Sequence, residues 1–332
     1  MISGNDGGLW QCNDNTATLP VWNSLNNGYL TTQFYTVALD HYTPKSNVII
    51  GGLQDNGTFF VNSTSTTAEW VQPGLGDGSF CAIGRDRNYY LSRQQGRIGR
   101  FILDSTGKII ERGRIDPGGK GYLFIAPFML DPNNDHVMYM TKGGSVWRNK
   151  DVTQIPLGKW DSTAMNWEIL DGTVTKTDSV SALGMSVTPS NQLYYGTIHG
   201  KVYRLDNCDK VSSIPTEITG AAFPEDAYVS CIAVDPKDGN SAIVVFSNYN
   251  VVSVFATIDG GATWTAIAGN LEQVQNGTGA GPSCRWVKNP QCRWHERVLH
   301  WDEYRFVFHS IYQRRQHNMG TRRCIHHREH GN

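Results

Sequence analysis

The feature that most constrains the fold is a repeated pattern of short apolar runs separated by turns. One copy reads TVALD at 36–40, NVIIGGL at 47–53 and, after a QDNG turn, TFFV. The first run of each successive copy ends at Asp40, Gly84, Asp131, Thr188 and Asp235. These ends lie roughly 45–55 residues apart. Short strands in units of this length predict an all-β chain, a β-propeller built from four-stranded antiparallel blades. No helical pattern of about ten or more residues separates the runs, which argues against a parallel α/β fold.

Tryptophans mark the start of a fourth strand in several copies, in the runs WNSL, WVQP, WEIL and WTAI, which begin at Trp22, Trp70, Trp167 and Trp264. The copies that begin near residues 84 and 188 lack this mark. The opening stretch GNDGGLWQCNDNTATLPVW, with Asn13 and Asp14 at its turn, is typical of the third and fourth strands of a blade. We therefore expect about six or seven blades over residues 1–288, the first lacking two strands. We also expect the chain to be a fragment of a longer protein.

Composition narrows the classes of partner. The 332 residues carry a net charge of -1, with 35 glycines, 10 tryptophans and 14 tyrosines. This near-neutral charge provides no general attraction to nucleic acid or to an anionic membrane surface. No apolar stretch approaches the roughly 20 residues that cross a bilayer, so membrane insertion is not expected. The opening residues show no signal segment, which indicates either a cytoplasmic protein or a missing N-terminus.

Cysteines and acidic residues indicate no metal or cofactor. The chain contains an odd number of cysteines and no CxxC pair, so a disulfide framework or zinc site is not predicted, and we expect small buried thiols instead. No calcium-binding loop of the EF-hand pattern is present. The seven cysteines are Cys12, Cys81, Cys208, Cys231, Cys284, Cys292 and Cys324.

The stretch TIDGGATW, residues 257–264, places an aspartate and two glycines at the turn between a third and a fourth strand. We expect Asp259 to accept hydrogen bonds from its own turn, and Gly261 and its neighbour to allow positive φ. Trp264 is expected to fold under the hairpin against the neighbouring blade. Because turn donors would occupy the carboxylate, we predict a structural role for Thr257, Asp259, Gly261, Thr263 and Trp264.

Thr257, Asp259, Gly261, Thr263 and Trp264 fit the pattern Ser/Thr-x-Asp-x-Gly-x-Thr-Trp. Together with GNDGGLW (4–10), GGLQDNGT (51–58) and LDPNN (130–134), this pattern resembles the Asp-box, or BNR, repeats of sialidase-like and sortilin-like propellers. The resemblance covers about residues 1–288. It implies a secreted, extracellular or cell-surface location within a bacterial multidomain protein. Because this fold hosts both enzymes and binding modules, it does not specify a reaction.

An enzymatic interpretation requires particular acidic or basic groups. The early Arg-Ile-Pro motif of sialidases is absent, because Arg114 and Ile115 are followed by Asp116. A glycoside hydrolase needs two carboxyl groups roughly 5–10 Å apart. Asp55 in QDNG and Asp77 in LGDGS belong to adjacent copies on one face and form the best candidate pair. Asp-Asn-Gly and Gly-Asp-Gly are also ordinary turn sequences.

The turns between second and third strands share one face with the connections between blades. We expect any ligand on this face, at the residues Gln54, Asp55, Asn56, Asp77, Arg93, Lys142 and His199. The favoured function is a non-catalytic binding or scaffold propeller for a glycan or protein, joined to other domains of a parent chain. The alternative is a glycoside hydrolase that uses Asp55 and Asp77.

Residues 289–332 differ in composition from the rest of the chain. They contain seven of the ten histidines and eight arginines, but only two of the 35 glycines. No second strand is evident after CRWVK at 284–288. A one-base shift of the reading frame can encode a strand (NVYFTGTS) and an Asp-box-like turn (TNGDNTIW), with Met319–Gly320 becoming tryptophan. We interpret this tail as a frameshifted, poorly ordered segment; a basic nucleic-acid-binding tail and an unrelated natural extension are the alternatives.

Overall fold

The computed structural model describes residues 1–5, 8–26, 33–175, 177–288, 297–302 and 306–310. These residues form strands β1–β26 and three single 3-10 turns, at Gln94–Gly96, Val152–Gln154 and Asp171–Thr173. The strands make seven antiparallel sheets, five with four strands and two with three. In the part of the chain that is described, no helix is long and apolar enough to cross a membrane.

The first unit comprises Met1–Asp116 and Pro156–Thr163. It contains sheets 1, 2 and 3, whose strands are hydrogen-bonded in sequence order. Sheet 1 contains β1 (Ile2–Asn5), β2 (Gly8–Cys12) and β3 (Trp22–Ser24). Sheet 2 contains β4 (Phe34–Leu39), β5 (Val48–Leu53), β6 (Gly57–Asn62) and β7 (Val71–Gly74). Sheet 3 contains β8 (Gly78–Ile83), β9 (Asn88–Arg93), β10 (Arg97–Leu103) and β11 (Ile109–Arg114).

The second unit comprises Pro117–Ile155 and Ala164–Asn332 and contains sheets 4–7. Sheet 4 contains β12 (Phe128–Asp131), β13 (Asn134–Lys142), β14 (Ser145–Asn149) and β15 (Trp167–Ile169). Sheet 5 contains β16 (Val180–Met185), β17 (Gln192–Thr197), β18 (Val202–Asp206) and β19 (Thr216–Glu217). Sheet 6 contains β20 (Val229–Val234), β21 (Ala242–Phe246), β22 (Val254–Thr257) and β23 (Thr265–Ala266). Sheet 7 contains β24 (Cys284–Lys288), β25 (Arg297–Asp302) and β26 (Phe306–Ser310).

The core lies between neighbouring sheets. In the second unit, Tyr194 of sheet 5 packs with Val244 and Phe255 of sheet 6 in one buried cluster. In the first unit, Ile50 and Phe60 of sheet 2 pack with residues of sheet 3 in another. Strands with buried faces on both sides need near-continuous apolar runs, and this need explains sequences such as VIIGGL and AIVVF.

Gly52, in the GGLQDNGT block, marks a close approach between two backbones. A Cβ on Gly52 would lie 2.1 Å from the Ser79 carbonyl oxygen in the next sheet. Gly78 is equally constrained, since its Cβ would lie 1.9 Å from the Gly57 carbonyl oxygen. Sheets 2 and 3 can therefore approach this closely only with glycine at both positions.

The predicted tryptophan marks coincide with the fourth strands. Trp22 and Trp167 begin β3 and β15, and Trp70 and Trp264 immediately precede β7 and β23. One predicted strand is shifted, because β16 covers Val180–Met185 rather than 184–188. The predicted strand 184–188 extends to Thr188, directly before Pro189. Proline has no N–H to donate to a neighbouring strand.

The first sheet is more complete than the sequence indicated. Ile2–Asn5 pairs with Gly8–Cys12, so sheet 1 has three strands among the described residues, one more than expected. The short polar sequence ISGN has no apolar alternation, and backbone hydrogen bonds to β2 hold it instead.

Two strands continue the sheet begun by CRWVK. Arg297–Asp302 pairs with Cys284–Lys288, and Phe306–Ser310 pairs with Arg297–Asp302. The expectation that no second strand follows residues 284–288 was wrong, since the runs RVLHW and FVF have the β-branched and aromatic residues that favour strands. The remaining residues of 289–332, on which the prediction of poor order rests, lie outside the described residues. The frameshift stays a prediction.

Candidate functional site

The turn at 257–264 is held together by its own side chains. The Asp259 carboxylate accepts hydrogen bonds from the Thr263 N–H at 2.9 Å, the Thr263 hydroxyl at 2.5 Å and the Thr257 hydroxyl at 2.7 Å. Gly260 and Gly261 have φ of 74° and 93°. The Thr263 hydroxyl, the Thr263 N–H and the Thr257 hydroxyl lower the pKa of Asp259 to about 2. A carboxylate with these donors stays ionised and is a poor general acid.

Trp264 ties this turn to the preceding sheet. Its indole N–H donates to the Ile218 carbonyl oxygen at 2.7 Å, just beyond β19 of sheet 5. Its ring centre lies 5.1 Å from that of Phe223, and the side chain packs against the buried cluster between sheets 5 and 6. These contacts hold the 257–264 turn against sheet 5.

The predicted ligand face consists of the turns between second and third strands and the connections between sheets, which antiparallel pairing places at one end of each sheet. We call this end the turn face. Gln54, Asp55, Asn56, Asp77 and Arg93 lie on the turn face of the first unit, and Lys142 and His199 lie on that of the second.

Asp55 and Asp77 are neighbours in the first unit. The Asp55 N–H donates to Asp77 Oδ1 at 2.9 Å, and Asp55 has a left-handed φ of 58°. Asp77 thus anchors the backbone of the turn that contains Asp55. The Asn56 N–H donates to the Gln54 carbonyl oxygen at 2.7 Å, which closes the same turn. In this arrangement the Asp77 carboxylate holds the turn that contains Asp55. It offers no specific support for Asp55 and Asp77 as a catalytic acid and base.

Arg93 has a different environment. Its Nε is buried and has no hydrogen-bond partner among the described residues. Its guanidinium would lie 2.8 Å from a Cβ placed on Gly76, so the glycine leaves room for it. A buried donor without an acceptor costs free energy, and burial also keeps this nitrogen from reaching a ligand at the surface.

Lys142 is held against aromatic rings in the second unit. Its Nζ donates to the Gly118 carbonyl oxygen at 2.8 Å and lies 4.9 Å from the ring centre of Trp147 and 5.2 Å from that of Tyr122. The Tyr122 hydroxyl donates to the same Gly118 oxygen at 2.8 Å. Both cation–π contacts and the hydrogen bond hold the ammonium in place.

His199 pairs with an acidic residue that sequence reasoning missed. Its Nδ1 lies 2.9 Å from Asp178 Oδ1, with the Asp178 side chain 14% exposed. Backbone hydrogen bonds join the turns here: the Ile198 N–H donates to Ser179 O, and the Val180 N–H donates to Gly143 O. These bonds join the turn faces of sheets 4 and 5 within the second unit.

Three large apolar side chains on the turn face of the second unit also escaped sequence reasoning. Phe124, Val174 and Tyr249 are 51%, 55% and 57% exposed, on the connections before β12 and β16 and on the turn between β21 and β22. Apolar residues in predicted loops were the available signal, but only the structure shows their exposure. Exposed Ile214 and Ile258 lie at the opposite end.

The described cysteines and acidic groups show no catalytic or metal-binding arrangement. Cys12, Cys81, Cys208 and Cys231 form no disulfide among the described residues. Burial raises the pKa of Cys81 to about 11 and those of Cys208 and Cys231 to about 12, which disfavours the thiolate. Among the residues with described side chains, no group of three or more His, Cys, Asp or Glu is placed to hold a metal ion.

Comparisons with known proteins identify the fold. No family model and no curated protein matches the sequence. The structure is similar to a chain in a crystal structure of the mitotic checkpoint complex, with a TM-score of 0.56 and 10% identity, covering 85% of this chain and 76% of that one. It is also similar to YCF48 from Cyanidioschyzon merolae, with a TM-score of 0.54 and 12% identity, covering 90% of this chain and 87% of that one. With the repeated antiparallel sheets, these likenesses confirm an all-β β-propeller.

Proposed function

We propose that this chain is a non-catalytic binding propeller that holds a protein partner on the turn face of its second unit. The observation that carries the proposal is the exposure of Phe124, Val174 and Tyr249, which all lie on the turn face of the second unit. Exposed apolar groups of this kind mark interaction sites, and aromatic residues dominate the binding energy of protein interfaces.

The surrounding polar groups fit a protein interface. Lys142 and the His199–Asp178 pair lie on the same surface as the apolar residues and provide polar contacts around them. Interfaces combine an apolar centre with a polar rim in this way. The similar chain that comes from the mitotic checkpoint complex is itself part of a protein assembly, which agrees with a scaffold role.

The proposal extends to an Asp-box, or BNR, propeller that functions outside the cell as part of a larger protein. It rests on the TIDGGATW motif and on the hydrogen bonds that Asp259 accepts within its turn. A glycan is the other ligand class that such a surface accommodates, and the crosslinking experiment separates the two.

Site-specific photocrosslinking tests the protein-binding surface. A photoreactive phenylalanine analogue replaces Tyr249 in one variant and Ile258, at the opposite end, in a control. In the source organism, we expect a discrete protein adduct from position 249 that disappears when Phe124→Ser is added. Equal adducts at both positions, or an adduct that survives Phe124→Ser, would refute the proposed surface. An adduct sensitive to glycosidase treatment would instead indicate a glycan.

A further inference from the structure

A second candidate site lies in the first unit, at the end opposite to its turn face. A cavity of about 230 Å³ opens between sheets 2 and 3. Its walls come from the turns that join first to second strands, around Asp40 and Asp86, and from the ends of the third strands, around Asn62 and Asp104. The volume is below the roughly 300–1,000 Å³ of pockets for drug-sized ligands, so it suits a single small ring.

One lining residue has an unused hydrogen-bonding group. Tyr89 is 5% exposed, and its ring packs edge-on against Phe60 with centres 5.8 Å apart. Its hydroxyl makes no hydrogen bond to any described residue. Burial raises the pKa of Tyr89, the charge of Asp40 raises it further and Arg87 lowers it. The hydroxyl therefore lies near two charged lining residues and can donate to a group bound in the cavity.

Three non-glycine residues that line the cavity have left-handed backbone conformations. Lys45, Asp86 and Arg87 all line it and all have left-handed φ, of 59°, 56° and 59°. A two-residue turn with both φ positive favours Asn-Gly, yet here the pair is Asp86–Arg87. Non-glycine residues in this region persist where the surrounding structure holds them, and they cluster at ligand-binding sites. The strain fixes charged residues at the edge of the cavity.

The chemistry of the lining fits a neutral polyol. Three carboxylates (Asp40, Asp86 and Asp104) face two cations (Lys45 and Arg87), so neither sign of charge dominates. Asp40 and Asp104 accept hydrogen bonds from their own turns at Oδ1; Asp86 is a further acceptor, and Tyr89 and Arg87 are donors. Tyr42 adds an aromatic surface. We propose that this cavity binds one neutral sugar residue, with the Tyr89 hydroxyl donating to a sugar oxygen.

Sugar titration of the full chain tests this site independently of the partner surface. Glucose, galactose, mannose, xylose and N-acetylglucosamine are titrated by calorimetry and by NMR. We expect one of them to bind, and Tyr89→Phe to weaken that binding roughly 3- to 10-fold, the equivalent of one hydrogen bond. Tyr35→Phe is the matched control, because its hydroxyl donates to Gln54 on the turn face. It should bind the sugar like the parent.

The double variant Asp86→Asn, Arg87→Gly provides a second measurement. It installs the preferred turn sequence, so we expect a higher melting temperature together with weaker sugar binding. The proposal is wrong if none of the five sugars binds at about 10 mM, if Tyr89→Phe binds like the parent, or if the double variant keeps full affinity. Stronger binding of an acidic sugar than of every neutral one would also contradict it.

Discussion

Replacement of Trp264 by alanine tests the physical account of the 257–264 turn. The change removes a half-buried indole from the cluster between sheets 5 and 6 and breaks its 2.7 Å hydrogen bond to the Ile218 oxygen. Full burial would predict a loss of about 3–5 kcal/mol. Since Trp264 is only partly buried, we expect the free energy of unfolding to fall by about 2–4 kcal/mol, including about 1 kcal/mol from the hydrogen bond.

Urea unfolding followed by circular dichroism measures this loss, and two variants separate its causes. Trp264→Phe keeps most of the packing and should lose only about 1 kcal/mol. Trp22→Ala is the matched control, because Trp22 begins the fourth strand of sheet 1 but is 38% exposed. We expect a loss below about 1 kcal/mol there. The reasoning fails if Trp264→Ala unfolds like the parent, or if Trp22→Ala is equally destabilised.

Four further predictions concern the acidic turns and the tail. The folded pKa of Asp259, about 2, is below its ordinary value of 3.8, so its stabilising effect is present above that value and is lost as pH falls through 2. Asp259→Asn should therefore melt below the parent at pH 5 and approach it near pH 2, and a constant difference would contradict this. Asp55→Gly should keep the free energy of unfolding or raise it by up to about 1 kcal/mol, because Asp55 has positive φ. In an activity assay, neither the parent nor Asp77→Asn should hydrolyse aryl glycosides. Hydrolysis by the parent that Asp77→Asn abolishes would support the enzyme alternative. Finally, the nucleotide sequence around codon 289 should encode propeller strands in the one-base-shifted frame, and stop codons there would rule out the frameshift.

Local signals allowed most of the fold to be predicted. The period of the repeats and the turn-plus-tryptophan marks depend on residues close in sequence, and the structure places strands at these marks. The shifted β16 and the additional β1 were missed for a shared reason. Their boundaries are set by backbone pairing with a neighbouring strand rather than by apolar alternation.

The candidate site was less predictable. Sequence placed Asp55 and Asp77 in turns of adjacent copies, and the structure brings the Asp55 N–H to the Asp77 carboxylate. It did not indicate that this bond would occupy Asp77, nor that Asp178 would pair with His199. Such pairs join separate loops, and their distances depend on how neighbouring sheets pack.

The sequence by itself determined the repeat, the strand order within sheets 2–6 and the residues of the 257–264 turn, because each follows from contacts within a few residues or within one hairpin. The tertiary structure alone decided what is exposed and what is left without a partner. Phe124 and Tyr249 are exposed, while Tyr89 is buried and lines a cavity. All three are aromatic residues in the sequence. Their different environments arise from the packing of one sheet against the next, which no local pattern encodes.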